Sequence, residues 1–347
     1  MITLPRHAEL WLPGVIATAM RRERKPLRHV WLLIADHYEP YWRGANRSTA
    51  AARVARWTDA WPRIAEGHRD SRGRPPCYTF FYPEEEYDRS LLDALGTLRD
   101  AGIGDVEVHL HHDGEGEADF RTRIGGFVRR LREDHGMLRD RGGRPAWCFV
   151  HGNWALDNSH PDGRYCGLDN ELTLLAELGC VADFTLPAAP SPCQTRTVNT
   201  IYRAIDDPDR PRSHEHGTRV TPGSAGPPGL LMVQGPLTLR RHQRRPWLPG
   251  LECGELTSVD PPTAHRVARW LAVAPRIGGH AFIKLHTHGA QDQVAAALLD
   301  GGLDRLFSLV GEACDRRGVS HGYLSAWEAV TLIESLEAGR DPTEESP

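Results

Sequence analysis

The chain has 347 residues, 40% of them hydrophobic and 25% charged, the composition of an ordinary soluble globular protein. With 42 basic against 46 acidic residues the formal net charge is -4, so no basic excess points to nucleic acid. The seven scattered cysteines include no C-x-x-C pair, which argues against both a disulfide framework and a zinc ribbon.

Near the N-terminus the apolar run "LWLPGVIATAM" (10–20) precedes the basic run "RRERK" (21–25). A signal peptide has the reverse order, and the run is too short to span a bilayer. It is read as an amphipathic segment able to touch a membrane surface or a partner, in a chain expected to be cytoplasmic. "HVWLLIAD" (29–36) is a continuous apolar run, the pattern of a buried parallel strand. A helix is predicted over 48–70, with Ser48 or Thr49 as its cap. "CYTFFY" (77–82) is a second strand, followed by a helix over 90–102. "VEVHLHHDG" (106–114) is a third, followed by a helix over 119–138, and "AWCFVHG" (146–152) is a fourth. A helix at 169–180 leads into "VADFTL" (181–186).

From about 187 to 262 the chain is rich in Pro, Gly and Arg, with one strand candidate in "GLLMVQG" (229–235). Alternation resumes with a helix near 263–274, a strand at "HAFIKLHTHG" (280–289) and helices around 291–300 and 303–316. A short strand and a closing helix end the pattern. Repeated β-then-α units predict an α/β fold around a parallel sheet, either a barrel or a doubly wound sheet, here taken as one domain over 1–347.

In parallel α/β folds, chemistry gathers at the C-terminal ends of the strands. The first strand ends in Asp36, His37 and Glu39, and the third in His109, His111, His112, Asp113 and Glu115. The fourth ends in His151, Asn153, Trp154, Asp157 and Asn158. Asp183 lies in the next strand, and the last long strand ends in Lys284, His286 and His288. Within the third strand a period of two puts Glu107, His109 and His111 on one face, opposite Val106, Val108, Leu110 and His112. Each residue also has a plainer reading. Asp36 and Asp183 can cap, His151 can bond a carbonyl, Asp157 and Asn158 can form Asx-turns, and Trp154 can be core rather than a sugar platform. It is the clustering that argues for a site. Imidazole and carboxylate without thiolate suit a divalent ion, Zn²⁺ or else Co²⁺, Mn²⁺ or Ni²⁺. With a carboxylate base and an imidazole acid, such a site can hydrolyse an amide or ester.

The order of these motifs resembles that of the polysaccharide deacetylase (NodB-homology) superfamily over roughly residues 29–335, with 187–262 poorly matched. In that family the first strand ends in paired aspartates, a base and then a metal ligand. Here the pair is Asp36-His37, so either His37 replaces the ligand carboxylate or Asp36 itself ligates. "VEVHLHHDGE" matches the family's Glu and first His at Glu107 and His111. The second His falls on Glu115, leaving His109, His112, Asp113 or Glu115 to complete the set. The family's Arg-Pro motif is absent from the fourth strand, where "FVHGNWALDNS" stands. "VADFTLP" and "KLHTHG" resemble its later Asp-containing and Leu-x-His motifs.

The resemblance implies a distorted (β/α) barrel with a long irregular insertion and a metal-dependent hydrolase. It would remove an acyl (acetyl) group from an amino sugar or glycan precursor. Asp36 would be the base, with Asp36, His37, His109, His111 and His112 as candidate ligands and His286 or His288 as the acid. Glu39, His151, Asn153, Trp154, Asp157, Asp183, Gln194 and Lys284 would meet the small-molecule or oligosaccharide substrate. The 187–262 region would fold over it as a lid, presenting Gln194, Arg196 and Asn199. Two rivals stand beside this reading. One is a glycoside hydrolase pairing Asp36 with Asp157 or Asp183. The other is a non-catalytic sugar-binding or assembly protein holding a structural metal in a closed four-ligand site.

Overall fold

A computed structural model describes residues 4–21, 25–224, 226, 228–241 and 247–344. Residues 22–24 of the basic run and 242–246 of the irregular region lie outside them. Helix α1 (Ala8–Ala19) carries the N-terminal apolar run and buries Trp11 and Val15 against Ala189, Val198 and Leu237. Gly14 permits this close approach, since a Cβ there would sit 2.2 Å from the Arg196 carbonyl oxygen. Ile16 and Met20 stay on the surface. No helix among the described residues is long and apolar enough to cross a membrane.

The predicted alternation follows. It runs β1 (His29–His37), α2 (Arg47–Glu66), β2 (Tyr78–Pro83), α3 (Arg89–Asp100), β3 (Gly104–Leu110) and α4 (Glu117–Glu133). The cap of helix α2 lies two or three residues earlier than expected, because Asn46 takes that place and accepts the Thr49 N–H at 2.9 Å. A short hairpin, β4 (Arg139–Arg141) into β5 (Arg144–His151), leads to α5 (Glu171–Glu177) and β6 (Cys180–Asp183).

The 187–262 region is more regular than its composition suggested. It holds β7 (Ile201–Ala204), β8 (Gly217–Arg219), β9 (Leu230–Val233), β10 (Thr238–Arg241), β11 (Pro249–Glu252) and β12 (Glu255–Leu256). Each is two to four residues long, too short to show a period against flanking Pro and Gly. The chain then forms α6 (Ala264–Val273), β13 (Arg276–Ile277), β14 (His280–Thr287), α7 (Asp292–Ala297), α8 (Leu303–Asp315), β15 (Ser320–Tyr323) and α9 (Ala326–Glu337).

One 13-stranded sheet has ten strands in the order β12-β14-β1-β2-β3-β5-β6-β9-β7-β8, with β13 on β14, β15 on β1 and β4 on β5 off this path. From β12 to β9 every neighbouring pair is parallel. The irregular region therefore supplies strands to both ends of the sheet, so much of it is wall rather than lid. Along β1, Val30, Leu32 and Ile34 pack outward on the helical layer, while Trp31, Leu33 and Ala35 point into a second core. Helix α9 lies on that inner side, touching β1, β5 and β13.

The sheet must curl. Lys284 of β14 donates to the Phe184 carbonyl oxygen just after β6 at 2.6 Å, although five strand steps separate β14 from β6. Laid flat, five steps would span roughly 24 Å. A lysine side chain covers that gap only if the sheet bends into a half-barrel. The architecture is thus α/β with a curled, mostly parallel sheet.

A buried ion pair ties the end of the irregular region to the helical layer. Glu252 accepts Arg266 Nε and Nη2, each at 2.9 Å, and Trp270 Nε1 at 2.9 Å, with Glu252 and Arg266 each 1% exposed. Arg266→Leu leaves the buried Glu252 carboxylate only Arg240, whose Nε lies 3.3 Å from Oε2, and is expected to cost up to ~3–5 kcal/mol. Chemical denaturation measures this, and a loss below ~1 kcal/mol would show that the pair does not anchor the region.

Candidate metal centre

Strand alternation decides which histidines meet. At the C-terminal ends of β1, β3 and β14, the inward faces carry His37, His109 and His286, and the residues just beyond add Glu39, His111 and His288. Strand β3 ends at Leu110, so His111 belongs to the following loop and keeps to the inner side. The Glu39 Oε1 atom lies 3.1 Å from His111 Nε2 and 3.9 Å from His109 Nε2. Donor atoms of these three residues all fall within 4.8 Å of one another, close enough to share one ion. In a tetrahedral Zn²⁺ site with bonds of about 2.0–2.1 Å, neighbouring ligand atoms sit roughly 3.3 Å apart.

Around this trio the rings pack closely. His37 lies with its centroid 5.1 Å from His109 and 5.0 Å from His288, and it stacks on Trp154 at 4.5 Å. Trp154 also meets His286 edge-on at 5.2 Å, and Trp42 lies 6.4 Å from His288. Trp42, Trp154, His111 and His288 are partly exposed and form the mouth, whereas His37, Glu39, His109 and His286 are buried.

The donor set fits a divalent ion. Both nitrogens of His37 and of His109, Glu39 Oε2 and His286 Nδ1 are buried without a hydrogen-bond partner. Buried polar groups are seldom left so. Burial, and then the neighbouring imidazoles, hold His37 and His109 far below the usual histidine range, so both rings are neutral and able to ligate. His111 goes the other way. Burial alone would lower it, but Glu39 on Nε2 and Glu85 on Nδ1 together push it up to about 10. Two carboxylates on one ring call for a proton or a cation between them. With a cation beside Nε2 and Glu39, the Nδ1–H stays on Glu85 in the carboxylate–histidine–metal arrangement.

Asp36 is not brought to this trio. Alternation turns it outward from His37, and its carboxylate accepts the Gly289 N–H at 2.6 Å and the Tyr78 hydroxyl at 2.9 Å. Burial pushes it up to about 7 against those two hydrogen bonds, which favour the charged form. It therefore fixes the turn that follows His288. His112 also faces away from the trio, and with His151 it joins Cys166 and Glu171 in a second buried group. Asn153 donates to the His112 carbonyl oxygen at 3.0 Å. Asp157 binds the Ser213 hydroxyl at 2.8 Å and the His214 N–H at 3.0 Å. Asp183 accepts from the Thr185 hydroxyl, which in turn accepts the His151 N–H. Lys284 is buried beneath His286, and burial, partly offset by Asp183, lowers it to about 7.

Gln194 Oε1 takes the N–H groups of Ala188 and Ala189, and Asn199 brackets the Leu237 backbone; both are buried scaffold. Arg196 is exposed. The expectation that Gln194 and Asn199 face a cleft is corrected by these bonds, which consume their amide groups.

Sequence reasoning missed Glu85, Cys166, Glu171 and His214. Glu85 lay in the acidic run "PEEEY" at the end of β2, a strand end carrying carboxylates like the others. Cys166 lay in loop-like sequence and Glu171 in the first turn of the helix predicted at 169–180, and neither carried a signal. No protein-family model matches the chain, and no curated protein matches it in sequence.

Gly152 lies against the trio, where an added Cβ would be 2.5 Å from His111 Cδ2 and 2.6 Å from His109 Nε2. Gly152→Ala is expected to preserve secondary structure and weaken divalent-metal binding ~10–100-fold, the range typical of disturbed supporting shells. Circular dichroism with metal titration checks this; unchanged affinity would show that the two rings do not ligate.

Proposed function

We propose that the protein is a metal-dependent hydrolase that removes an acyl group from an amino sugar or glycan precursor. The observation that carries this reading is the convergence of Glu39, His109 and His111 with three further histidines at the strand ends of a curled parallel sheet. That architecture accords with the distorted barrel of the deacetylase resemblance. A divalent ion held by the trio, most simply Zn²⁺, would supply a Lewis acid for the amide carbonyl and lower the pKa of a water.

The chain's own residues do the rest. Trp154 and Trp42 offer aromatic faces at the mouth on which a sugar ring can stack. His37, with both nitrogens unpartnered, is placed to take the proton of the attacking water. His288, the more exposed of the two late histidines, delivers a proton to the departing amine. The products are a carboxylic acid and a free amino sugar. Asp36, through Gly289, holds the His288 turn and is a positioning residue. A two-carboxylate glycosidase is less well supported, because Asp36, Asp157 and Asp183 are each buried and bonded to scaffold groups.

Metal analysis coupled to acetate release from N-acetylated sugars, nucleotide sugars and lipid-linked sugars tests the reading. His109→Ala should lose both the ion of the trio and the activity; full activity in that variant refutes the assignment. His37→Ala should keep that ion and lose ~10²–10⁴ in kcat, the usual cost of removing a general base. Asp36→Asn should lose less, since an amide oxygen still accepts the Gly289 N–H. A loss at Asp36→Asn equal to that at His37→Ala would make Asp36 the base.

A further inference from the structure

On the outer side of β3 and β5, four residues from separate segments converge: His112 after β3, His151 ending β5, Cys166 in the long loop and Glu171 opening α5. We infer that they form a second, closed divalent-metal site, of Zn²⁺ type, that staples the loop 152–170 to the sheet. Their donor atoms all lie within 4.8 Å of one another, and all four residues are at most 3% exposed. Glu171 is the hub, with Oε1 3.0 Å from His112 Nε2 and 3.8 Å from His151 Nε2, and Oε2 3.3 Å from Cys166 Sγ.

Three features point to an ion rather than to hydrogen bonds alone. First, the buried His151 Nε2 has no hydrogen-bond partner and is aimed at this group. Second, among the described residues the only ion-pair partners of the buried Glu171 are His112 and His151; no Arg or Lys meets it. A thiolate and a carboxylate together neutralise a divalent ion, so the filled site carries no net charge into the core. Third, the outer shell is laid out for ligation. His112 Nδ1 faces Glu115 Oε2 at 3.3 Å, Asn158 N–H points at Cys166 Sγ at 3.3 Å, and Asp157 N–H donates to Glu171 Oε2 at 2.6 Å. One contact must change on binding. Asn153 N–H now donates to His151 Nδ1 at 3.2 Å, and a ligating Nε2 puts the proton on Nδ1.

Four protein ligands and near-complete burial leave no place for water or substrate, so this site is structural. Its task is visible in the loop. Trp154, Asp157, Asn158 and Tyr165 are all non-glycine residues with positive φ, a run that persists only where surrounding contacts over-determine it. Trp154 is the ring that stacks on His37. The staple thus fixes the aromatic wall of the other centre from behind.

The experiment exchanges the bound metal of the full-length protein for Co²⁺ and reads the near-ultraviolet thiolate-to-cobalt charge-transfer band. The Glu39, His109 and His111 centre contains no sulfur, and Cys253, which with Glu255 and His286 forms the other sulfur-bearing group of donors, is separated by the Cys253→Ser variant. Wild-type protein should show the band; Cys253→Ser and His109→Ala should keep it, and Cys166→Ser should abolish it and remove one ion per chain. Glu171→Gln, which retains the thiol, should weaken Co²⁺ at this band at least ~10-fold. No band in wild-type protein, or a band that survives Cys166→Ser, overturns the proposal even if Cys166→Ser folds poorly in other respects. Retention of every ion by His109→Ala would instead overturn the hydrolase centre and leave this one standing.

Discussion

A β-strand sends successive side chains to opposite faces, and the chemistry of this protein is divided by that rule. In β3 and its extension the inward residues Glu107, His109 and His111 alternate with Val106, Val108, Leu110 and His112. The inward series ends in an open, half-exposed cluster with unpartnered rings. The outward series ends beneath the helical layer beside a thiol and a carboxylate. Shifting the strand's register by one residue would exchange the two sets. The parallel pairing of β3 with β2 and β5 therefore sets which histidine meets which partner.

Much of this was legible beforehand. The face assignment of Glu107, His109 and His111 follows from period alone, and the structure agrees with it. So do the long strands β1, β5 and β14, whose apolar runs are interrupted only by Lys284 in β14. Two things were not legible. Apart from β9, which falls within the strand candidate "GLLMVQG", the short strands of 187–262 have too few residues to display a period, and their pairing is set by distant partners: β9 by β6, β12 by β14. The roles of Asp36 and Glu39 were also hidden. They are three residues apart at one strand end: alternation turns Asp36 outward to Gly289, and the turn after Tyr38 brings Glu39 toward the His109 and His111 rings.

The loop between β5 and α5 shows why local sequence misleads where tertiary contacts govern. Its Asp157 and Asn158 read as turn formers, and they do adopt left-handed backbone. Yet Asp157 also spans to Ser213 and His214, tying this loop to the segment before β8. Tertiary hydrogen bonds of this kind arise from neither propensity nor spacing, so a reader of the sequence sees the turn and not the tie.

Lys284 carries a last consequence. The chain has only two lysines, and one of them spans the interior of the curled sheet with its amine on the Phe184 carbonyl. Lys25 is exposed and Lys284 has no exposed surface. An amine-directed reagent therefore finds a single lysine on the folded protein. The Lys284 amine becomes available to a reagent only when the half-barrel opens and it leaves the Phe184 carbonyl. Labelling at that position would act as a built-in sensor for breathing of the half-barrel, readable by mass without any engineered probe.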